Sequence, residues 1–245
     1  MKTELRVRIA LCAFIATIAL VWTSSAQPGP QPGPGSPGVE PQAATEKADS
    51  REREAPIWIE RDPQGHIAKL RLVGLSCNDK NLALAAQIKG LRELGLKAGK
   101  PTAEGLRLLR GNTNLSSVHF ACFSVMPTGL LNELAEFPQI KQLVLYGASP
   151  PSSEYASLER MTTLADLQIL YVGNFADADL SRLTNLSCLQ HLDLSSAALT
   201  PASVSLLYKF RALTNAVLSG SAGATYWETN WHSGTAPLQG EPERK

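Results

Sequence analysis

His191 and Asp193 stand two residues apart in a run of alternating leucines, and Asp166 precedes His191 by 25 residues. An imidazole with two carboxylates is the equipment of general acid–base catalysis or of a metal site. Alternation puts His191 and Asp193 on one face of an extended strand. If the chain returns every 25 residues, Asp166 falls beside His191, about 4.8 Å away across neighbouring strands. This spacing favours a hydrogen-bonded Asp166–His191 pair over catalysis. His119 is three such strands away, roughly 14 Å, and cannot complete a site with them. Ser195, on the strand of His191 but four residues on, is roughly 13 Å distant, so no nucleophilic triad is supported. No C-x-x-C pair and no glycine-rich loop after a strand is present. The chain therefore reads as non-catalytic, with no metal and no cofactor; an enzyme built on Asp166, His191 and Asp193 is kept as an alternative.

The elements that place these residues come from a repeat. Apolar residues recur at the first, fourth and sixth positions of a unit: Ile67, Leu70, Leu72; Leu91, Leu94, Leu96; Leu115, Val118, Phe120; Ile140, Leu143, Leu145; Leu164, Leu167, Ile169; Leu189, Leu192, Leu194; and a weaker Leu213, Ala216, Leu218. The units follow one another at 24 or 25 residues. Alternation at the fourth and sixth positions predicts a strand. A polar break and apolar residues at three-residue spacing, such as Leu180, Leu183 and Leu186, predict a short helix after it. Asn78, Thr102, Thr128, Ser152, Asp177 and Thr200 are the predicted N-caps, because each can accept a bond from free helix amides. One strand and one helix cannot bury their apolar sides alone, so the units must stack into a continuous core.

The "LxxLxL" of "LRELGL", "IKQLVL" and "LQHLDL" resembles the leucine-rich repeat family, in its bacterial type with helices on the convex side. That resemblance, over about Ile67 to Leu218, implies an α/β solenoid with a curved parallel β-sheet on the concave face and short helices on the convex face. The family often has Asn at the ninth position, where this chain has Leu75, Gly99, Phe123, Ala148, Val172 and Ala197. The turns after its strands must satisfy their backbone in some other way.

On that architecture residues 67–220 form the repeat domain, six full units and a weak seventh. Residues 57–66 form a capping strand, with a type I turn at Asp62-Pro63-Gln64-Gly65 folding it back as a hairpin. Trp58 then reads as a cap residue, with a ligand platform as the alternative. Residues 221–245 form a C-terminal cap and a loose tail. There Tyr226, Trp227 and Trp231 cover the last unit or, alternatively, make an aromatic binding patch.

The outward strand positions are Lys69, Arg71, Arg92, Glu93 and Lys97 early, Ser117, His119, Lys141, Gln142 and Tyr146 in the middle, and Asp166, Gln168, Gln190, His191 and Asp193 late. Among them Lys69, Arg71, Arg92, Lys97, His119, Lys141, Tyr146, Asp166, Gln168, His191 and Asp193 are the candidate ligand-binding residues. The face runs from basic to acidic, which suits a partner of complementary polarity. At a net charge of +1 with 6% aromatic residues, the chain lacks the basic face and stacking platform of a nucleic-acid binder.

Residues 1–26 read as a signal peptide. Lys2, Arg6 and Arg8 precede the apolar run 9–22, and Ser24-Ser25-Ala26 offers small residues for cleavage. The run is shorter than the roughly 20 residues of a spanning helix, and an uncleaved anchor is the alternative. Residues 27–56, rich in proline and glycine and then charged, read as a disordered linker. Cys77, Cys122 and Cys188 read as small buried residues, with one disulfide or an intermolecular bridge as alternatives. The expected protein is secreted, periplasmic or on the cell surface, and binds a protein or surface polymer through the concave face. A membrane-anchored structural spacer is the alternative.

Overall fold

The computed structural model describes residues 57–123, 125–196, 198–222 and 225–233, with backbone alone for 221–222 and 225–227. The segments read as signal peptide, linker and tail lie outside these residues.

Nine strands form one sheet in chain order: β1 (Ile57–Arg61), β2 (Ile67–Val73), β3 (Glu93–Lys97), β4 (Ser117–Ala121), β5 (Gln142–Tyr146), β6 (Asp166–Leu170), β7 (His191–Ser195), β8 (Asn215–Ala222) and β9 (Thr225–His232). Strands β2 to β8 run parallel. At the two edges β1 and β9 are antiparallel to their neighbours. The leucine pattern sets the register. Leu70, Leu94, Val118, Leu143, Leu167, Leu192 and Ala216 stand side by side across the sheet, as do Leu72, Leu96, Phe120, Leu145, Ile169, Leu194 and Leu218. All are buried. A repeat solenoid with short helices on one side of a mostly parallel sheet is thus the observed architecture, and no barrel closes.

Each unit returns through a short helix: α1 (Asp79–Ala85), α2 (Ala103–Arg107), α3 (Leu130–Leu134), a 3-10 helix at Ser152–Arg160, α4 (Asp177–Leu183) and a second 3-10 helix at Pro201–Lys209. The caps are only partly those the residue types suggest. Asn78 Oδ1 accepts from Asn81 N at 3.0 Å and Thr102 Oγ1 from Gly105 N at 3.2 Å. Thr128 does not cap α3. Gly129 holds that position at φ 89°, and the buried Glu154 of the next unit accepts Gly129 N at 2.6 Å and Leu131 N at 3.2 Å. Ser152 is the first residue of its helix rather than the cap. Ala176 precedes α4, its amide satisfied by Asp179 at 3.0 Å. Asp177, freed from capping its own helix, accepts Thr200 N at 3.0 Å and Thr200 Oγ1 at 2.5 Å. Asp79 holds Thr102 in the same manner, at 2.8 and 2.7 Å. Carboxylates reaching from one unit to the amides of the next therefore stitch the helix layer together.

The turns after the strands show how the backbone manages without asparagine at the ninth position. The eighth residue is left-handed in five successive units, at Gly74, Ala98, Cys122, Gly147 and Tyr171, with φ between 51° and 58°. Its amide continues the parallel ladder: Ala98 N donates to Ala121 O at 3.1 Å, Cys122 N to Tyr146 O at 2.8 Å and Gly147 N to Leu170 O at 2.8 Å. In the fifth unit the neighbouring amide, Val172 N, reaches Ser195 O at 3.4 Å, and in the sixth Ser196 N reaches Ser219 O at 3.0 Å. Gly99 admits no side chain: a Cβ there would lie 2.2 Å from Cys77 Cβ and 2.3 Å from Cys77 O.

The cysteines divide. Cys77 is buried, and desolvation pushes its thiol up to about 11, but Cys122 is half-buried and Cys188 exposed, so the expectation of three buried residues fails for two. All three are free thiols.

Candidate functional site: the open face of the sheet

The side of the sheet opposite the helices carries three columns of side chains. Lys69, Glu93, Ser117, Gln142, Asp166, His191 and Asn215 form the first, and Arg71, Gly95, His119, Val144, Gln168, Asp193 and Val217 the second. Val73, Lys97, Ala121, Tyr146, Leu170, Ser195 and Ser219 form the third. Nine of the predicted binding residues stand on it: Lys69, Arg71, Lys97, His119, Tyr146, Asp166, Gln168, His191 and Asp193. Arg92 and Lys141 do not. They sit one residue before β3 and β5, exposed at the rim, where their carbonyls accept backbone bonds from Ser116, Ser117, Ala165 and Asp166.

The basic early end is largely compensated. Lys69 Nζ lies 3.1 Å from Glu60 and 3.6 Å from Glu93, and Arg71 reaches Glu93 at 3.4 Å. The cations on or beside the face that form no ion pair with a described residue are Arg92, Lys97 and Lys141. Gly95 has a part in this: a Cβ there would come 2.9 Å from Arg71 Cγ, so its bare backbone is where the arginine stem lies.

The Asp166–His191 pair does not form. Asp166 accepts Gln142 Nε2 at 2.8 Å and Gln168 Nε2 at 3.2 Å, while His191 Nδ1 bonds Asn215 Oδ1 on the other side. A carboxylate between two amide donors is already satisfied, so each side chain in the column leans toward the neighbour that completes it.

An unpredicted constellation lies nearer the start of the sheet. His119 Nδ1 is 3.9 Å from Glu93 Oε1, and its Nε2 is 3.0 Å from Ser117 Oγ. In outline this is an acid, a base and a nucleophile. The direction of the protons decides otherwise. Asp166 can only accept, so Gln142 turns its amide nitrogen toward it and its Oε1 toward Ser117, whose hydroxyl donates at 2.7 Å. Ser117 Oγ then receives from His119 Nε2–H, in the tautomer this network assigns. The serine proton is held by an amide oxygen rather than by the imidazole, and 3.9 Å is beyond hydrogen-bond length to the acid. Burial pushes the His119 imidazole below its ordinary value, opposed by Glu93, the Gln142 bond and Asp166 and reinforced by Arg71, which suits a neutral ring. Glu93, Ser117 and Gln142 stand at the outward positions the repeat assigns them, but their bonds to one another and to His119 were not expected.

At the far rim Tyr146 and Tyr171 meet edge to face with centroids 5.1 Å apart. Tyr171 is 64% exposed and holds the left-handed eighth position, where glycine costs least. Sequence reasoning named Tyr146 but missed Tyr171, whose position is not an outward strand position. Among the described residues no three His, Cys, Asp or Glu could hold a metal ion, and no helix is long and apolar enough to cross a membrane.

No protein-family model matches the chain, and no curated protein does. One solved structure similar to it is that of an internalin, inlF, from Listeria monocytogenes: 16% identical over 61% of this chain and 47% of that one, with a TM-score of 0.35. The chain thus matches less than half of the internalin's length. At this TM-score the likeness carries no argument, and the architecture rests on the strand register. What that register supplies is a sheet face, seven parallel strands wide, that no described element covers.

Proposed function

We propose that the protein is an exported, non-catalytic leucine-rich repeat protein that binds another protein or a surface polymer through the concave, open face of its sheet. In this reading residues 1–26 are the export signal and 27–56 a tether ahead of the repeat domain. The observation that carries it is the uncovered face itself, with polar side chains bonded to one another in two groups, Lys69 and Arg71 with Glu93 and His119 with Ser117, Gln142, Asp166 and Gln168, and a tyrosine pair at the rim of which Tyr171 is exposed. Such a network fixes rotamers before a partner arrives, which lowers the ordering cost of association. Tyr146 and Tyr171 supply the kind of rigid aromatic contact on which binding energy concentrates. Arg92, Lys97 and Lys141, free of ion pairs with described residues, supply the charge that steers an acidic partner.

The test compares capture from the producing organism by the native protein with capture by two variants. One replaces Arg92, Lys97 and Lys141 with Glu; the other replaces Tyr146 and Tyr171 with Ser. A partner held by the native protein and lost by both variants, each folded by circular dichroism, supports the reading. A partner held equally by all three proteins would move recognition off this face.

A further inference from the structure

The first end of the sheet presents a main-chain edge that nothing among the described residues pairs with. β1 is antiparallel to β2 on one side and is the outermost strand on the other. Every residue of it is exposed. Ile57 and Ile59 stand opposite Leu72 and Leu70, on the core face, yet remain 47% and 50% exposed, and no described helix precedes β1 to cover them. Trp58, opposite Arg71 on the open face, is 63% exposed. An edge strand of this kind is ordinarily blunted by a lysine, a proline or a bulge in its centre. Here the centre is Ile-Trp-Ile, and the register irregularity falls at its far end, between Glu60 and Arg61.

We infer that β1 is a self-association edge, at which two copies of this chain pair their β1 strands antiparallel about a two-fold axis through Trp58. The register follows from the residues. Centred on Trp58, the pairing sets Trp58 against its own copy on the open face and Ile57 against the partner's Ile59 on the core face. Apolar thus meets apolar at every central position. Centred on Ile59 instead, it would set Trp58 against Glu60 and Ile57 against Arg61. A two-fold contact is closed, so it ends at a dimer, whereas pairing of β1 with the β9 edge of another copy would run on into a filament.

The chain immediately before β1 is poorly suited to cover the edge itself. Residues 27–56 contain one large aliphatic side chain, Val39, and seven prolines, which lack the amide a strand edge requires. Cover of the edge by the apolar run 9–22, or by an extended peptide from a different protein, is an outcome the experiment separates from the dimer.

The experiment is sedimentation velocity of the full chain over a hundredfold range of concentration, beside the double variant Ile57→Lys, Ile59→Lys and the single variant Trp58→Cys. The expected result is a reversible monomer–dimer equilibrium in the native protein, weakened at least about tenfold by the lysines with an unchanged circular dichroism spectrum. Trp58→Cys should yield, on mild oxidation, a disulfide dimer linked at position 58, identified by mass spectrometry of the cross-linked peptide. Monomer at every concentration, a dimer that survives the lysines, growth beyond a dimer, or cross-links through Cys188 but not position 58 would each overturn the inference. If the protein is monomeric and the edge takes up a peptide, the surface is a binding edge for another protein. The dimer is independent of what the open face binds, since the tyrosine and Arg92 variants leave β1 intact.

Discussion

Both ends of the parallel sheet receive one antiparallel strand, and the two strands are treated differently by what lies beneath them. On β9, Trp231 stands opposite the small Ala216, is 8% exposed, and meets Tyr208 of the last 3-10 helix edge to face at 5.9 Å. On β1, Ile57 and Ile59 stand opposite Leu72 and Leu70 with no described helix on their outer side and stay half-exposed. Among the described residues, five of the nine exposed large hydrophobics, Ile57, Trp58, Ile59, Leu75 and Leu84, fall before β3. Main-chain pairing therefore extends a solenoid but does not close its core. Closure needs a side chain large enough to cross from the added strand to the helix layer, and a small residue beneath to admit it.

The sharpest way to break this contrast is at Trp231. Trp231→Ala should lower stability by about 3–5 kcal/mol, since it removes the ring that joins β9 to the helix layer, as read from urea denaturation. A small effect would mean that the last unit is closed by something else. Next is Gly99→Ala, where a methyl group would collide with Cys77 of the first unit. About 1–3 kcal/mol of destabilisation is expected, together with increased reactivity of the Cys77 thiol toward a maleimide, because the joint between the first two units must open. If the first end is held by that joint rather than by β1, Ile59→Ala in the monomeric state should cost only about 1 kcal/mol, in proportion to its partial burial. A cost equal to that of Trp231→Ala would make β1 a true cap.

The smallest effect has a pH signature. The His119 imidazole is held below its ordinary value in the folded chain, so the unfolded chain binds the proton more readily. Its contribution to stability is fully present above the unfolded value of about 6.5 and is lost as pH falls through the lower folded value. His119→Gln should flatten that part of the stability–pH curve, and a histidine NMR titration should place His119 below the ordinary histidine value. A normal titration would remove the neutral, Ser117-donating ring from the site.

What was legible in the sequence is what a period enforces. Leu70 and its six partners had to share one row because a slip of one residue would turn an entire strand inside out. Column membership on the open face followed from the same constraint, which is why Asp166, His119 and Tyr146 stand on it as expected. Which neighbour each side chain bonds was not legible, because that depends on competition within the column. Asp166 went to two glutamines, and Glu93 took up the charge of Lys69 and Arg71. The caps failed where the next unit supplied a better acceptor than the local residue: Thr128 lost its role to Glu154, which lies 26 residues further on. Tyr171 was missed because the left-handed turn recurs at a position occupied by five different contexts, only two of them glycine.

The hairpin of β1 and β2 also has a mechanical meaning. Its turn joins Arg61 to Ile67, so Ile57–Leu72 is the pair at its open end. Tension on the chain N-terminal to Ile57 meets that pair first and opens the hairpin one rung at a time, the geometry of a zipper. The seven parallel strands behind it, tied to one another by interlocked carboxylates and a continuous core, are loaded only after β1 has let go. A protein carried on the segment before Ile57 would thus yield at its first strand under load while the face it presents stayed intact.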